Sequence, residues 1–242
     1  TFAALGVYGA SVITAITAQN TVGVRAIHDV PTPIVAAQLD AVLDDLPIAA
    51  VKIGMLSSAE IIAVVADRLH AHHVSTVVLD TVMVAKSGDA LLRDEAVAAL
   101  IEHLLPLVAV ITPNLPEAAR LLQRAEITDI AEAAQALLAL GPRAVLLKGG
   151  HGAGDDITDL LVARGAPPHR YTHRRVPTAN THGTGCTLAS ALAAQLARGL
   201  PLPEAAETAI AWLHQAITRA WPLGRGHGPV HHFWHWWPEA TE

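Results

Sequence analysis

Cysteine is almost missing from this 242-residue sequence. Cys186 stands alone, so no internal disulfide can form, and a reducing compartment is the simpler setting. Basic charge is not in excess either: 16 Lys and Arg face 22 Asp and Glu, a formal net charge of −6. That balance offers no electrostatic footprint for nucleic acid or for an anionic membrane. No apolar run approaches the roughly 20 residues needed to cross a bilayer, and no signal peptide is visible. The expected location is the cytoplasm. The sequence begins at Thr1 without a methionine, which points to a fragment or a processed form. No linker, internal repeat or low-complexity stretch divides it, so one domain over 1–242 is expected. A G-x-x-x-x-G-K-[ST] run is also absent, which excludes a Walker-type nucleotide site.

What is present is apolar and periodic. Hydrophobic residues make up 52% and charged residues 16%, ample for a large core and too apolar for disorder. Val/Ile/Leu runs at 49–53, 76–79, 107–111 and 144–147 read as strands, and 7–19 as a further strand ending in a turn at Asn20. Between and after them, helical spacing marks 33–46, 58–72, 93–104, 116–123, 129–140, 185–198 and 203–220. Residues 1–5, closed by Gly6, resemble the last turn of a helix. This alternation predicts an α/β fold with a mainly parallel, doubly wound sheet flanked by helices. Strands at 158–163 and 170–176, with no helix between them, predict an antiparallel extension at one sheet edge.

Ligands of such sheets bind beyond the carboxyl ends of the strands. Those ends are polar here: Gln19 and Asn20, Lys52, Asp80 and Thr81, Thr112 and Asn114, Lys148. The strongest local signal is Asn180-Thr181-His182-Gly183-Thr184-Gly185-Cys186, which runs straight into an apolar helix. Glycines let the amides of Gly183, Thr184, Gly185 and Cys186 point together at the helix start, an anion site suited to a phosphoryl group. The plainer reading is an ordinary glycine turn with a threonine cap. Asp80 at a strand end and Glu117, three residues after Asn114, supply hard oxygen donors of the kind that hold hydrated magnesium. Each also has a plain reading, Asp80 as a loop-capping carboxylate and Glu117 as a first-turn acid favoured by the helix dipole.

Taken in order, several blocks resemble the hydroxymethylpyrimidine/phosphomethylpyrimidine kinases of the ribokinase-like superfamily. They are Ser11 to Thr21, Lys52-Ile53-Gly54-Met55-Leu56, Val78-Leu79-Asp80-Thr81-Val82-Met83 and Lys86-Ser87-Gly88. Further along come Ile111-Thr112-Pro113-Asn114-Leu115-Pro116-Glu117, Lys148-Gly149-Gly150-His151, the turn at 180–187 and Gly226-His227-Gly228-Pro229-Val230. The resemblance implies ATP-dependent phosphorylation of 4-amino-5-hydroxymethyl-2-methylpyrimidine and then of its monophosphate, in thiamine diphosphate biosynthesis. It places Gln19, Met55 and Val82 at the pyrimidine, Asp80 and Glu117 at Mg2+, and Asn114 and Lys148 at ATP. It makes Gly183, Thr184, Gly185 and Cys186 the catalytic anion hole, Cys186 standing where most ribokinase-like kinases have an aspartate base. The family has, before the position of Thr1, a first strand and a glycine-rich loop with a substrate-binding aspartate, which the 1–242 sequence is expected to lack through truncation. A pyridoxal or pyridoxine kinase is the alternative enzyme, and a non-catalytic pyrimidine-binding module the alternative from another class.

A helix start lowers a thiol's pKa, so Cys186 is expected to be partly thiolate; a small buried hydrophobe is the plainer reading. A neutral thiol in place of a carboxylate would spare an anionic acceptor a repulsion, which bears on the second phosphorylation. His227, His231, His232 and His235 mimic metal spacing, but Pro229 and the interleaved Phe233, Trp234, Trp236 and Trp237 favour an aromatic terminus docked on the body or on another subunit. The expected assembly is a homo-oligomer, a dimer first. Gly150-His151-Gly152-Ala153-Gly154 lacks the dinucleotide spacing and reads as a hairpin turn.

Overall fold

The computed structural model describes residues 1–83, 94–150 and 154–237. Strands β1 (Ala15–Gln19) and β2 (Val24–Asp29) pair antiparallel as a separate two-stranded hairpin. The main sheet has six strands in the order β3 (Val51–Ile53), β4 (Val77–Leu79), β5 (Val110–Ile111), β6 (Ala144–Leu147), β7 (Asp156–Ala163) and β8 (His169–Arg174). The first four run parallel, and β7 and β8 extend the sheet antiparallel.

The strands read as unbroken apolar runs because both of their faces are buried. Val77 and Leu79 face one layer while Val78 faces the other, and Val145 and Leu147 part from Ala144 and Leu146 in the same way. On the first face lie α1 (Thr32–Asp45), α2 (Ala59–Ala71), α3 (Asp94–Ala99), α4 (Leu115–Leu121) and α5 (Ile130–Ala139). On the second lie α6 (Thr184–Ala197) and α7 (Leu202–Thr218). Helices therefore cover both faces, while the strands follow one another in sequence order across the described sheet. α6 and α7 pack against each other, and the buried cluster they share with the sheet is rich in small residues, Ala189, Ala191 and Ala193 from one and Ala205, Ala206 and Ala209 from the other, beside Leu188, Leu192 and Ile210. Such side chains let two helix backbones come close.

Local signals set most boundaries. The Ser58 hydroxyl accepts from the Ile61 N–H to start α2, and the Asp129 carboxylate accepts from Ala131 and Glu132 to start α5. The first residues form a single 3-10 turn, Ala3–Leu5, closed by Gly6 at φ 72°. The segment after α3 widens into a π turn, Leu100–Leu104, so 94–104 is not one uniform α-helix.

The expected strand over 7–19 is shorter than the sequence suggests. Only its last five residues form a strand, and they pair with β2, which the apolar pattern does not reveal. Arg25, His28 and Asp29 interrupt the apolar alternation of β2, because the hairpin buries neither face. Asn20 does make the turn: its side-chain oxygen accepts from Val22 at 2.9 Å and from Gly23 at 3.2 Å. Among the described residues no helix is long and apolar enough to cross a membrane.

Candidate active site

Three polar residues stand one position beyond three neighbouring parallel strands. Asp80 follows β4, with its N–H bonded to the Ile53 carbonyl at 2.9 Å. Thr112 follows β5, bonded to Leu79 O at 3.0 Å, and Lys148 follows β6, bonded to Pro113 O at 2.8 Å. Parallel register thus delivers their side chains to the same rim. The Lys148 ammonium lies 3.2 Å from Asp80 Oδ1 and 3.9 Å from Glu117 Oε2. The Thr112 hydroxyl donates to Asp80 Oδ1 at 3.4 Å. Asp80 is 2% exposed, so its carboxylate has little water to lean on.

Glu117 and Asn114 lock each other at the start of α4. The Asn114 side-chain oxygen accepts from the Glu117 N–H at 2.8 Å, and Glu117 Oε2 accepts from the Asn114 N–H at 2.9 Å, a reciprocal capping box. The Thr81 hydroxyl donates to the same Oε2 at 3.0 Å. Glu117 is thus both the first-turn acid of α4 and a member of the rim cluster, and Asn114 Oδ1 is committed to the cap. Burial pushes the Glu117 carboxyl up, with Lys148 and the Asn114 N–H pulling the other way. Around Lys148, burial works against the charge, but Asp80 and then Glu117 outweigh it and hold the ammonium above its ordinary value.

The glycine turn comes to this cluster. Gly183, in the left-handed region at φ 80°, is the N-cap of α6. First-turn N–H groups have no helical carbonyl behind them, and Thr184 N–H reaches only the Thr181 carbonyl at 3.4 Å. A Cβ on Gly185 would sit 3.4 Å and 3.5 Å from the two Asp80 carboxylate oxygens and 3.5 Å from Lys148 Nζ. The mouth of α6 therefore opens onto the Asp80–Lys148 pair.

Cys186 keeps an open face to solvent, yet the protein around it pushes its thiol up. Burial is the largest cause, Lys52 opposes it, and the negative charge of Asp80 raises it further. The direction is opposite to the thiolate character expected from the helix start: burial and the Asp80 charge favour the neutral thiol. Lys52 projects from β3 over Gly54, where an added Cβ would lie 2.6 Å from its Nζ. Sequence reasoning misses Lys52, although a lysine inside an otherwise apolar strand is a visible signal. It also misses Thr81 and Thr112, whose hydroxyls bond the two carboxylates.

Other residues are placed less directly. Gln19 is exposed at the end of β1, paired with Val24. Met55, half-buried, accepts the Thr14 hydroxyl at its carbonyl at 3.1 Å, so the hairpin base sits beside the end of β3. Val82, half-buried, follows the rim with its N–H bonded to Asp80 O at 2.8 Å. Lys86-Ser87-Gly88 lie outside the described residues, as do 151–153 of the glycine run. The C-terminal histidines join aromatic contacts: His231 meets Trp221 edge-on at 4.4 Å, and Arg219 covers Trp234 at 5.0 Å. Among the described residues no group of three or more His, Cys, Asp and Glu could hold a metal. Two carboxylates without a third protein ligand do not make a cage, but they fit magnesium, which keeps waters and takes phosphate oxygens.

Behind the rim, Gly149 is required by a close approach. Its N–H donates to the buried Asp159 carboxylate at 2.8 Å, and a Cβ there would lie 2.1 Å from the Thr158 carbonyl oxygen. Gly149→Ala is expected to destabilise the protein by about 3 kcal/mol or more, since backbone must move. Gly150→Ala, with nothing within 4 Å of the added carbon, is the control and should change stability by less than about 0.5 kcal/mol. Urea unfolding midpoints of the two variants check the difference.

Known proteins resemble this chain over nearly its whole length. A family model described as phosphomethylpyrimidine kinase matches residues 1–231. The chain is 57% identical over 244 residues to the hydroxymethylpyrimidine/phosphomethylpyrimidine kinase of Rhizobium meliloti (strain 1021), covering 99% of this chain and 91% of that one. Among solved structures it is similar to phosphomethylpyrimidine kinase from Clostridium difficile 630, with a TM-score of 0.77, 41% identity and 89% of each chain covered. It is also similar to the ADP complex of Bacillus subtilis pyridoxal kinase, with a TM-score of 0.87, 33% identity and coverage of 96% and 88%. The fold is ribokinase-like, and backbone likeness extends to kinases of two different rings.

Proposed function

Since this chain belongs to the phosphomethylpyrimidine kinase family, we propose that it transfers the γ-phosphoryl group of ATP to the hydroxymethyl arm of 4-amino-5-hydroxymethyl-2-methylpyrimidine, and then to the resulting monophosphate, for thiamine diphosphate synthesis. The observation that carries this reading is the meeting of the α6 mouth with the Asp80–Lys148 pair at Gly185. Phosphoryl transfer asks the protein mainly for positioning and charge stabilisation. The backbone amides of 183–186 receive the equatorial oxygens of the moving group, and Lys148 balances the charge that gathers there. Asp80 and Glu117 are the residues that would hold magnesium, with the Asn114 side-chain NH2 proposed to donate to the nucleotide. Magnesium, when bound, neutralises phosphate charge between those carboxylates and the nucleotide. In the first step the new P–O bond forms as the β–γ P–O bond breaks and ADP leaves, and the acceptor hydroxyl's proton passes by way of the transferred phosphoryl oxygens to water. In the second the acceptor is already an oxyanion and carries no proton to lose. A raised, neutral Cys186 thiol suits both, because it adds no negative charge beside the acceptor. Gln19, Met55 and Val82 are proposed to hold the ring.

A pyridoxal kinase is the second reading, favoured by the TM-score of 0.87 to the Bacillus subtilis enzyme. ADP release should be measured with the pyrimidine alcohol, its monophosphate and pyridoxal in parallel. Turnover of both pyrimidines, with pyridoxal at least about tenfold poorer in kcat/KM, is expected, a difference of about 1.4 kcal/mol in transition-state binding. Preference for pyridoxal would replace this reading with the second one, and no ADP release with any acceptor would remove both.

A further inference from the structure

The β1–β2 hairpin buries none of its strand residues, and an isolated two-stranded hairpin is marginal in water. Its placement therefore depends on what grips its ends. At the base, Ile13 bonds through both its N–H and its carbonyl to the Gln38 side chain at 3.0 Å. At the tip, the His227 N–H donates to the Thr21 carbonyl at 3.0 Å and the Gly226 N–H donates to the Thr21 hydroxyl at 3.3 Å. The approach is closer than a side chain permits, since a Cβ on Gly226 would lie 2.0 Å from Thr21 O. The same segment then grips in the other direction. The His182 N–H donates to the Gly228 carbonyl at 3.0 Å, and a Cβ on Gly228 would lie 2.3 Å from Asn180 Oδ1. His182 immediately precedes Gly183, the N-cap of α6.

We infer that segment 224–228 is a latch joining the hairpin tip to the phosphate-facing turn, and that Thr21, two residues from Gln19, is a positioning residue for the pyrimidine. This rests on the kinase reading given above. Its physical content is that the ring end and the phosphate end of the pocket share one continuous path of hydrogen bonds. The path runs Gln19–Thr21, across to 226–228, and across again to His182 and the mouth of α6. Catalysis needs the acceptor oxygen aligned with the phosphoryl group, and misplacement by about 1 Å can cost up to a hundredfold. A short tie between the two ends reduces that error directly. The rim residues Asp80, Glu117 and Lys148 are held by the main sheet and by α4 instead. Thr21 meets the latch at its hairpin end only, so a change at Thr21 should leave ATP binding nearly intact.

The test uses Thr21→Val, which removes the hydroxyl acceptor at nearly constant shape, Thr21→Ser, which restores it, and Gly226→Ala, which forces the two segments apart. Amide hydrogen exchange over 15–29 is followed alongside steady-state kinetics of the full chain. Thr21→Val is expected to speed exchange in the hairpin several-fold and to raise KM for the pyrimidine about tenfold. KM for ATP should stay within about twofold, Thr21→Ser should return both readouts to the parent values, and Gly226→Ala should exceed Thr21→Val. Unchanged hairpin exchange in both Thr21→Val and Gly226→Ala overturns the latch. Faster exchange with an unchanged pyrimidine KM, or with the ATP KM rising equally, overturns the positioning role. A parent chain without kinase activity would refute the function instead, and hairpin exchange together with calorimetric pyrimidine binding would still decide the latch.

Discussion

Lys148→Met is expected to lower kcat/KM for the pyrimidine alcohol by about a hundredfold to a thousandfold, the loss seen when one donor facing transition-state charge is removed. The same change should destabilise the fold by about 3 kcal/mol, because it leaves two carboxylates with little solvent and no cation. Asp80 and Glu117 have side chains only 2% and 12% exposed, and Lys148 at 14% is their shared partner. Lys148→Arg keeps the charge but not the point-like ammonium, so stability should recover further than activity. ADP-release kinetics and thermal melting separate the two effects, and a Lys148→Met enzyme within tenfold of the parent would remove Lys148 from the proposed chemistry. The pH dependence has a definite sign. Lys148 is raised in the folded state, so its contribution is complete below the ordinary lysine value of about 10.4 and is lost as pH rises through the higher folded value. The stability gap between parent and Lys148→Met should therefore stay open across neutral pH and close only in strong alkali. Glu117 is also raised, but it is an acid: its favourable contribution exists when it is protonated and is lost as pH rises through its folded value. Its ionised form at neutral pH is a cost that the neighbouring ammonium offsets.

Cys186→Asp is expected to slow the second phosphorylation selectively. A fixed carboxylate about 4 Å from an anionic acceptor, at an effective dielectric near 20, opposes binding by about 4 kcal/mol. That figure is an upper bound here, since Lys52 stands beside position 186 and attracts either carboxylate or phosphate. With part of the repulsion cancelled, the monophosphate should lose about tenfold to a hundredfold more in kcat/KM than the alcohol, about 1.4 to 2.7 kcal/mol. Equal losses in both steps would show that the thiol serves the transfer itself, not the charge of the acceptor. The nearby Asp80 would at the same time repel the new carboxylate, so a modest fall in melting temperature is expected.

Much of this arrangement could be read from the residues alone, and the reasons differ by element. The four parallel strands were legible because burial on both faces forces unbroken apolar runs, as in Ala144–Leu147. Their carboxyl ends were legible because Asp80, Thr112 and Lys148 interrupt those runs at once. The convergence of the 183–186 turn with Asp80 is a tertiary fact, reached in the sequence only through family likeness. The hairpin was half legible: Asn20 announced the turn, but β2 carries no periodicity because it has no buried face. Cys186 was not legible in this respect, because the burial and the Asp80 carboxylate that favour its neutral thiol come from tertiary neighbours rather than from its place at a helix start. Asn114 shows two rules meeting, a capping box spelled by the three-residue spacing to Glu117 and a place in the proposed site.

The alanine-rich layer shared by α6, α7 and the sheet has a mechanical meaning. Leucine against leucine can yield by a change of rotamer, but a methyl group has no rotamer to change. The helix whose mouth is proposed to receive the phosphoryl group thus rests on a layer with little slack. Enlarging Ala191 or Ala206, both fully buried there, would then be expected to disturb chemistry at a distance, by tilting that helix.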